Sequence, residues 1–161
     1  MRRPRKRGPL QAAAHAARSL NFRKEDVNTF QFIVNGVPAS LQSSSARKRT
    51  WKSLVLASAA ARWPQDAGPL ASTLAFSMTY FYKDAAPDVD NMIKPVQDSL
   101  IGLVYEDDSQ IIDTRSTKYN IANTGLRTSF RDALSSFYTY SDFIHVIISS
   151  KPLDYPHQVT L

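Results

Sequence analysis

Apolar and polar positions alternate along several short stretches of the chain, and elsewhere recur at helical spacing. Phe30–Val34 reads as a first strand, closed by a turn at Asn35-Gly36. Pro38 to Ser45 is a polar loop, and Ser45 or a nearby serine can cap a helix running to about Trp63, where Pro64 ends it. Trp51, Leu54, Val55 and Ser58 mark the inner side of that helix. Thr73–Lys83 is rich in β-branched and aromatic residues and reads as a strand, broken by Asp84-Ala85-Ala86-Pro87. Met92, Val96, Leu100 and Leu103 then recur at i, i+4, i+8 and i+11, the stripe of an amphipathic helix with Gly102 as its stop. Pro95 cannot donate to the carbonyl four residues back, so this helix is expected to start between Asn91 and Lys94, or to kink. Ile111–Tyr119 reads as a further strand. Leu126, Phe130, Leu134 and Phe137 predict a short helix, and Phe143–Ile148 a last strand.

These elements predict a single α+β domain over residues 29–150. A mixed sheet of about four strands carries helices mainly on one face, with short connections. The chain of 161 residues is long enough for one real core. Its longest apolar runs are strand-sized, which excludes a membrane-spanning helix on sequence grounds. It has no cysteine, so neither a disulfide framework nor a thiolate metal site is available, compatible with the cytoplasm. With five glycines and no Gly-rich phosphate loop, a nucleotide cofactor is not expected. His15, His145 and His157 share no metal-ligand spacing and read as structural or incidental.

Charge divides the chain unevenly. Residues 1–28 contain eight Lys/Arg against Glu25 and Asp26, while the rest of the chain is balanced, so the whole net charge of +6 sits at the N-terminus. This segment reads as a disordered basic arm able to neutralise DNA phosphates. A transit peptide or a passive solubilising tail are the competing readings. Residues 151–161 read as a C-terminal tail. Within the domain, Arg47, Lys48, Arg49 and Lys52 cluster at the start of the first helix, and Arg115 and Lys118 lie on the third strand. They are candidates for phosphate contact; the alternative for the helical cluster is a solvated face.

The chemistry concentrates between Asp88 and Gln110. Asp88 and Asp90 flank the strand-to-helix junction, Lys94 follows four residues on, and Glu106-Asp107-Asp108 comes just past the helix. Any one of these residues has an ordinary explanation: an N-cap at Asp88 or Asp90, an i,i+4 ion pair between Asp90 and Lys94, a solvated turn at 106–108. The order of the whole set is harder to explain that way, because it lets two acidic groups converge at one helix–strand layer. Dense carboxylates call for a counterion, and oxygen ligands favour Mg²⁺, with Mn²⁺ as a substitute. Acidic residues holding such metals beside a lysine suit the cleavage or transfer of phosphate esters.

The run Asp88-Val89-Asp90-Asn91-Met92-Ile93-Lys94-Pro95-Val96-Gln97-Asp98-Ser99-Leu100, then Gly102, then Val104-Tyr105-Glu106-Asp107-Asp108-Ser109-Gln110-Ile111 resembles the RusA family of Holliday junction resolvases. A weaker resemblance extends over most of residues 30–150, including Phe32-Ile33-Val34-Asn35-Gly36-Val37-Pro38, Ser40 and Gln42. The resemblance implies a small, homodimeric, Mg²⁺-dependent endonuclease of bacterial or phage origin that nicks four-way DNA junctions symmetrically. It implies that Asp88, Asp90 and Asp108 bind the metal and that Lys94 is the catalytic lysine. Asn91 and Asp98 match the motif and, with Asp107, are candidates to support the metal-binding carboxylates from behind; Asp107 is adjacent to Asp108 and can be mistaken for it. The alternatives are a catalytically silent branched-DNA-binding protein on the same scaffold, or a less selective nuclease.

Overall fold

The computed structural model describes residues 28–121 and 141–150. In chain order the described elements are β1 (Thr29–Asn35), α1 (Ser45–Ala60), β2 (Leu74–Tyr82), α2 (Val89–Leu100), β3 (Ile111–Asn120) and β4 (Phe143–Ser149), with a 3₁₀ turn at Asp108–Gln110 just before β3. One mixed sheet of four strands has the order β1-β4-β2-β3. β4 pairs antiparallel with both β1 and β2, while β2 and β3 are parallel. The parallel pair requires a crossover, and α2 supplies it. This is the α+β domain that the alternation and periodicity predict, and each strand starts and ends within one residue of its expected bounds. The predicted helix over Leu126–Phe137, the basic arm, the C-terminal tail, His15 and His157 lie outside the described residues.

Both helices lie on one face of the sheet. That face carries Phe30, Phe32 and Val34 of β1, Leu74, Phe76, Met78 and Tyr80 of β2, and Ile144, Val146 and Ile148 of β4. Trp51, Val55 and Ala59 of α1 and Met92, Ile93, Val96 and Leu100 of α2 close over them into one core. The inner stripe of α1 therefore differs from the expected one. Leu54 is exposed, and Ala59 takes a buried place one turn beyond Val55. α1 ends at Ala60, before Trp63, although Trp63 is itself buried with its ring edge-on to Phe30 at 4.8 Å.

Three strand ends are tied at one corner. The Tyr80 hydroxyl donates to the Asp142 carboxylate, the Lys83 N–H donates to its other oxygen at 3.2 Å, and the Gly36 N–H donates to the Asp142 carbonyl at 2.6 Å. Burial, reinforced by the bond to Asp142, raises the Tyr80 phenol so that it remains a donor. Gly36 has φ of 117°, a left-handed value that favours glycine, and the Trp51 ring lies 3.7 Å from where its Cβ would be.

On the face away from the helices, Phe81 and Phe143 stack at 4.7 Å, and His145 is buried, 3.1 Å from the Gln31 side-chain oxygen. Burial, with the nearby charge of Arg62, pushes the imidazole down to about 4. The unfolded chain takes up this proton below about pH 6.5, whereas the folded chain refuses it until near pH 4. Stability is therefore complete above that upper value and falls as pH drops through the window, by an amount on the order of 3 kcal/mol. His145→Gln should flatten the pH dependence of the urea midpoint between pH 7 and 5. An unchanged slope in the variant would assign acid sensitivity to other groups.

Candidate active site

Asp88 is the N-cap of α2, in extended conformation, and its side chain makes no capping hydrogen bond. Asp90 lies in the first helical turn. Both are exposed, and neither carboxylate has a hydrogen bond or ion pair among the described residues. The helix dipole and free N–H groups favour negative charge there. β3 braces this end of the helix from below: Ser116 Oγ donates to the Val89 carbonyl at 2.9 Å and Lys118 Nζ to the Pro87 carbonyl at 3.2 Å.

α2 starts at Val89, earlier than Pro95 suggests, and runs through the proline without a break. The reason is tertiary. Pro95 has no N–H for the Asn91 carbonyl, but the Leu41 N–H of the β1–α1 loop donates to that oxygen at 2.9 Å. The orphan acceptor thus becomes a docking point for the loop.

Lys94 turns toward the C-terminal side. Its Nζ pairs with Asp98 Oδ1 at 2.9 Å and with Asp108 Oδ2; no Asp90–Lys94 ion pair forms. The hydrogen bonds to Asp108, then to Asp98, raise the Lys94 ammonium to about 12, so it is fully charged at neutral pH. One lysine therefore links α2 to the acidic turn, its exposure intermediate and its charge shared between two carboxylates.

The turn itself is held by neighbours. Asp107 caps the 3₁₀ turn, its Oδ1 accepting from the Ser109 N–H at 2.9 Å. Hydrogen bonding from the Ser109 side chain, and then from this N–H, holds the Asp107 carboxyl below the ordinary carboxylate range. Asp108, next in sequence, is left to face Lys94. Gln110 completes the arrangement in a way its sequence position did not disclose. Its Oε1 accepts from the Glu106 and Asp107 N–H groups at 2.8 and 2.9 Å, and its Nε2 donates to the Leu70 and Ser72 carbonyls at 2.8 and 2.9 Å. The signal available was the Asp-x-x-Gln spacing of a capping box. Behind it, the buried Tyr105 hydroxyl donates to the Gln97 carbonyl at 2.7 Å, fixing the turn to α2, and Gln97 Nε2 reaches Thr114 Oγ1 at 3.3 Å.

Gln110→Ala removes four hydrogen bonds and should cost about 1–3 kcal/mol, mostly from the acceptors and donors left behind. Faster hydrogen exchange at the Glu106 and Asp107 amides and a lower unfolding midpoint would report this. Unaltered protection at both amides would mean the turn is held without Gln110.

Among the described residues, no group of three His, Cys, Asp or Glu side chains stands together as a metal site. Asp88 and Asp90 occupy the helix start, and Asp108 is engaged by Lys94 instead. In kind, the residues fit a hard divalent cation: the donors are oxygens only, and two of the three carboxylates have no partner among the described residues.

The candidate cations divide. Arg47 Nη2 donates to the Val37 carbonyl at 3.2 Å and Lys48 Nζ to the Leu41 carbonyl at 3.3 Å, so both brace the loop docked on Asn91. Arg49 and Lys52 are exposed on α1. Lys118 is held by the Pro87 carbonyl, one residue before Asp88 in sequence. Arg115, three residues earlier on a strand with a period of two, faces the opposite side of the sheet, paired with Asp113 at 3.0 Å.

Comparison with known proteins gives two similarities. Uncharacterized protein YqaN of Bacillus subtilis (strain 168) is 52% identical over 33 residues, 20% of this chain and 23% of that protein. The chain thus spans less than a quarter of the length of that relative. The family model described as endodeoxyribonuclease RusA matches residues 42–129, more than half of the chain, and takes in α1, both acidic groups, Lys94 and β3. On that match, this chain belongs to the RusA family of endodeoxyribonucleases.

Proposed function

We propose that this protein is a Mg²⁺-dependent, structure-specific DNA endonuclease that resolves four-way junctions by paired symmetric nicks. The observation that carries the reading is the family match running through a helix start with two unpartnered carboxylates, followed by a lysine joined to a third. Asp88, Asp90 and Asp108 would hold the metal, which when bound supplies Lewis acidity to the scissile phosphate and lowers the pKa of attacking water.

The chain's own residues do the rest. Asp88 and Asp90 concentrate negative charge where no donor among the described residues pairs with either carboxylate. Lys94 cannot serve as a base, because its bonds to Asp108 and Asp98 keep it protonated. It acts as a fixed positive charge for the phosphoryl oxygens or the leaving oxygen, strengthening as charge develops there. Gln110 and Tyr105 keep the Asp108 turn in register with α2. Arg49, Lys52 and Lys118, with the basic arm, contribute phosphate contacts. A homodimer suits the reaction, because a four-way junction is close to two-fold symmetric and a C₂ pair places one site on each of two opposed strands.

The test is a panel of synthetic four-way junction, linear duplex and flap DNA incubated with the full-length protein, with Mg²⁺ or with EDTA. Paired nicks at symmetric positions of the junction, lost in EDTA, are the expected result. Junction binding without cleavage would leave a silent binding scaffold, and equal cutting of flaps would leave a less selective nuclease.

A further inference from the structure

The loop between β1 and α1 has an unusual distribution of apolar residues. Pro38 and Ala39 point inward and are buried, while Val37 and Leu41 on either side are exposed at 47% and 49%. Single exposed apolar residues are common on protein surfaces and by themselves mean little. These two are held rigidly. The Ser40 N–H donates to Ser43 Oγ and the Ser43 N–H to the Ser40 carbonyl, each at 3.0 Å, closing a tight turn around Leu41. Arg47 grips the Val37 carbonyl and Lys48 the Leu41 carbonyl. The Leu41 N–H grips the Asn91 carbonyl, next in sequence to Asp90.

So a leucine side chain is presented to solvent, from a fixed backbone, within one residue's reach of the candidate catalytic helix start. Each of the two apolar residues is also accompanied by a cation. Arg47 and Lys48 retain unused donors, since a guanidinium has five and an ammonium three. An apolar tip flanked by cations is complementary to DNA in which a base face is exposed beside its phosphates. Intact duplex offers no such face without unstacking, whereas the centre of a branched junction does so at lower cost.

We propose that the Val37–Leu41 loop is a branch-point wedge: Leu41, aided by Val37, packs against the face of an unstacked nucleobase next to the phosphate presented to Asp88 and Asp90, while Arg47 and Lys48 contact flanking phosphates. This rests on the nuclease reading and adds to it the element that favours branched over continuous DNA. Pro95 is part of the device, because its missing N–H is what frees the Asn91 carbonyl to anchor the wedge.

The experiment uses the full-length protein in EDTA, so that binding is read without turnover. A four-way junction and a matched duplex each carry 2-aminopurine, placed at the branch point in the former, and both affinities and fluorescence are recorded. The wild-type protein should bind the junction in preference and raise branch-point fluorescence several-fold. Leu41→Ala retains the backbone bond to Asn91 and removes only an exposed side chain, so circular dichroism should be unchanged. It should abolish most of the fluorescence rise and cut the junction-over-duplex preference by about tenfold, the scale of one lost base contact. Leu41→Met, which restores an apolar side chain of similar volume, should recover both.

A full fluorescence rise and unchanged preference in Leu41→Ala would overturn the wedge. So would an equal loss of affinity for junction and duplex, which marks a general DNA contact. Where the wild-type protein cleaves junctions in Mg²⁺ and Leu41→Ala behaves identically, the wedge alone fails. Where the wild-type protein neither prefers nor cleaves junctions, the nuclease reading fails and the wedge with it.

Discussion

Asp90→Asn should abolish most Mg²⁺-dependent junction cleavage while leaving the fold and DNA binding in place. Asparagine keeps the shape of the side chain and its place in the first turn of α2. What it removes is one negative charge from a carboxylate with no partner among the described residues, so the folded state loses chiefly the favourable interaction with the helix N-terminus, about 0.3–1 kcal/mol. The chemical step loses much more. A metal's Lewis acidity is worth several kcal/mol of transition-state stabilisation, and each 1.36 kcal/mol is tenfold, so a fall of roughly a thousandfold or more in single-turnover rate is expected. Junction affinity should hold or tighten, because repulsion between the site and the phosphates falls. Near-normal nicking by the purified variant would remove Asp90 from the chemistry. The neighbouring pair gives an internal control. Asp107 is occupied as a cap on the Ser109 N–H, a role asparagine also fills, so Asp107→Asn should cut almost normally. Asp108→Asn, which alters the carboxylate paired with Lys94, should be as severe as Asp90→Asn.

Most of what frames this site is local and could be read from the chain. The stripe Met92, Val96 and Leu100 fixes which side of α2 meets the core, and burial follows it; β2 buries Leu74, Phe76, Met78 and Tyr80 against the helices but also Ala75 and Phe81 on the other face. The departures have a common cause, which is that the decisive partner is distant in sequence. Pro95 inside a helix carries a local cost of about 3 kcal/mol or more, so a later helix start was the reasonable expectation. A backbone donor from Leu41, outside the helix altogether, changes the balance. In α1 the inner stripe passes through Ala59, which an alanine-rich stretch disguises, while Leu54 looks apolar enough to be inside and is not.

The basic residues show the same limit. Four cations in the α1 cluster were legible as a group, but not that Arg47 and Lys48 would fold back on loop carbonyls. Arg115 and Lys118 could have been separated by strand periodicity alone, since positions three apart face opposite sides of a sheet. The density of the carboxylates and the family resemblance of their spacing mark them out in the sequence. Which of them Lys94 meets was not legible: spacing allows Asp90 and Asp98 equally, and Asp108 comes within reach only because the chain turns at Gly102 and returns alongside α2.

Lys94→Ala should lower turnover at saturating junction by about a hundredfold or more, the usual cost of removing one preorganised electrostatic contact to a transition state. The ion pairs it makes with Asp98 and Asp108 are partly exposed, and pairs of that kind contribute little to stability, about 0–1 kcal/mol. The unfolding midpoint should therefore move only slightly. Junction affinity should change little as well, because a contact that strengthens in the transition state affects rate more than ground-state binding. Mg²⁺ dependence offers a further readout. Deleting the ammonium removes the cation that Asp108 faces, so the variant should reach half-maximal activity at equal or lower Mg²⁺ even as its maximal rate collapses. Lys94→Arg retains the charge with different geometry and should recover part of the rate, though not all, because a planar fork cannot reproduce the compact ammonium between two carboxylates. If Lys94→Ala instead weakens junction binding while the bound complex cuts at the normal rate, Lys94 is a positioning contact for DNA. If it cuts normally but requires far more Mg²⁺, its work is to hold Asp108 for the metal. Only a fall in the maximal rate, with binding and metal demand preserved, assigns its charge to the reacting phosphate.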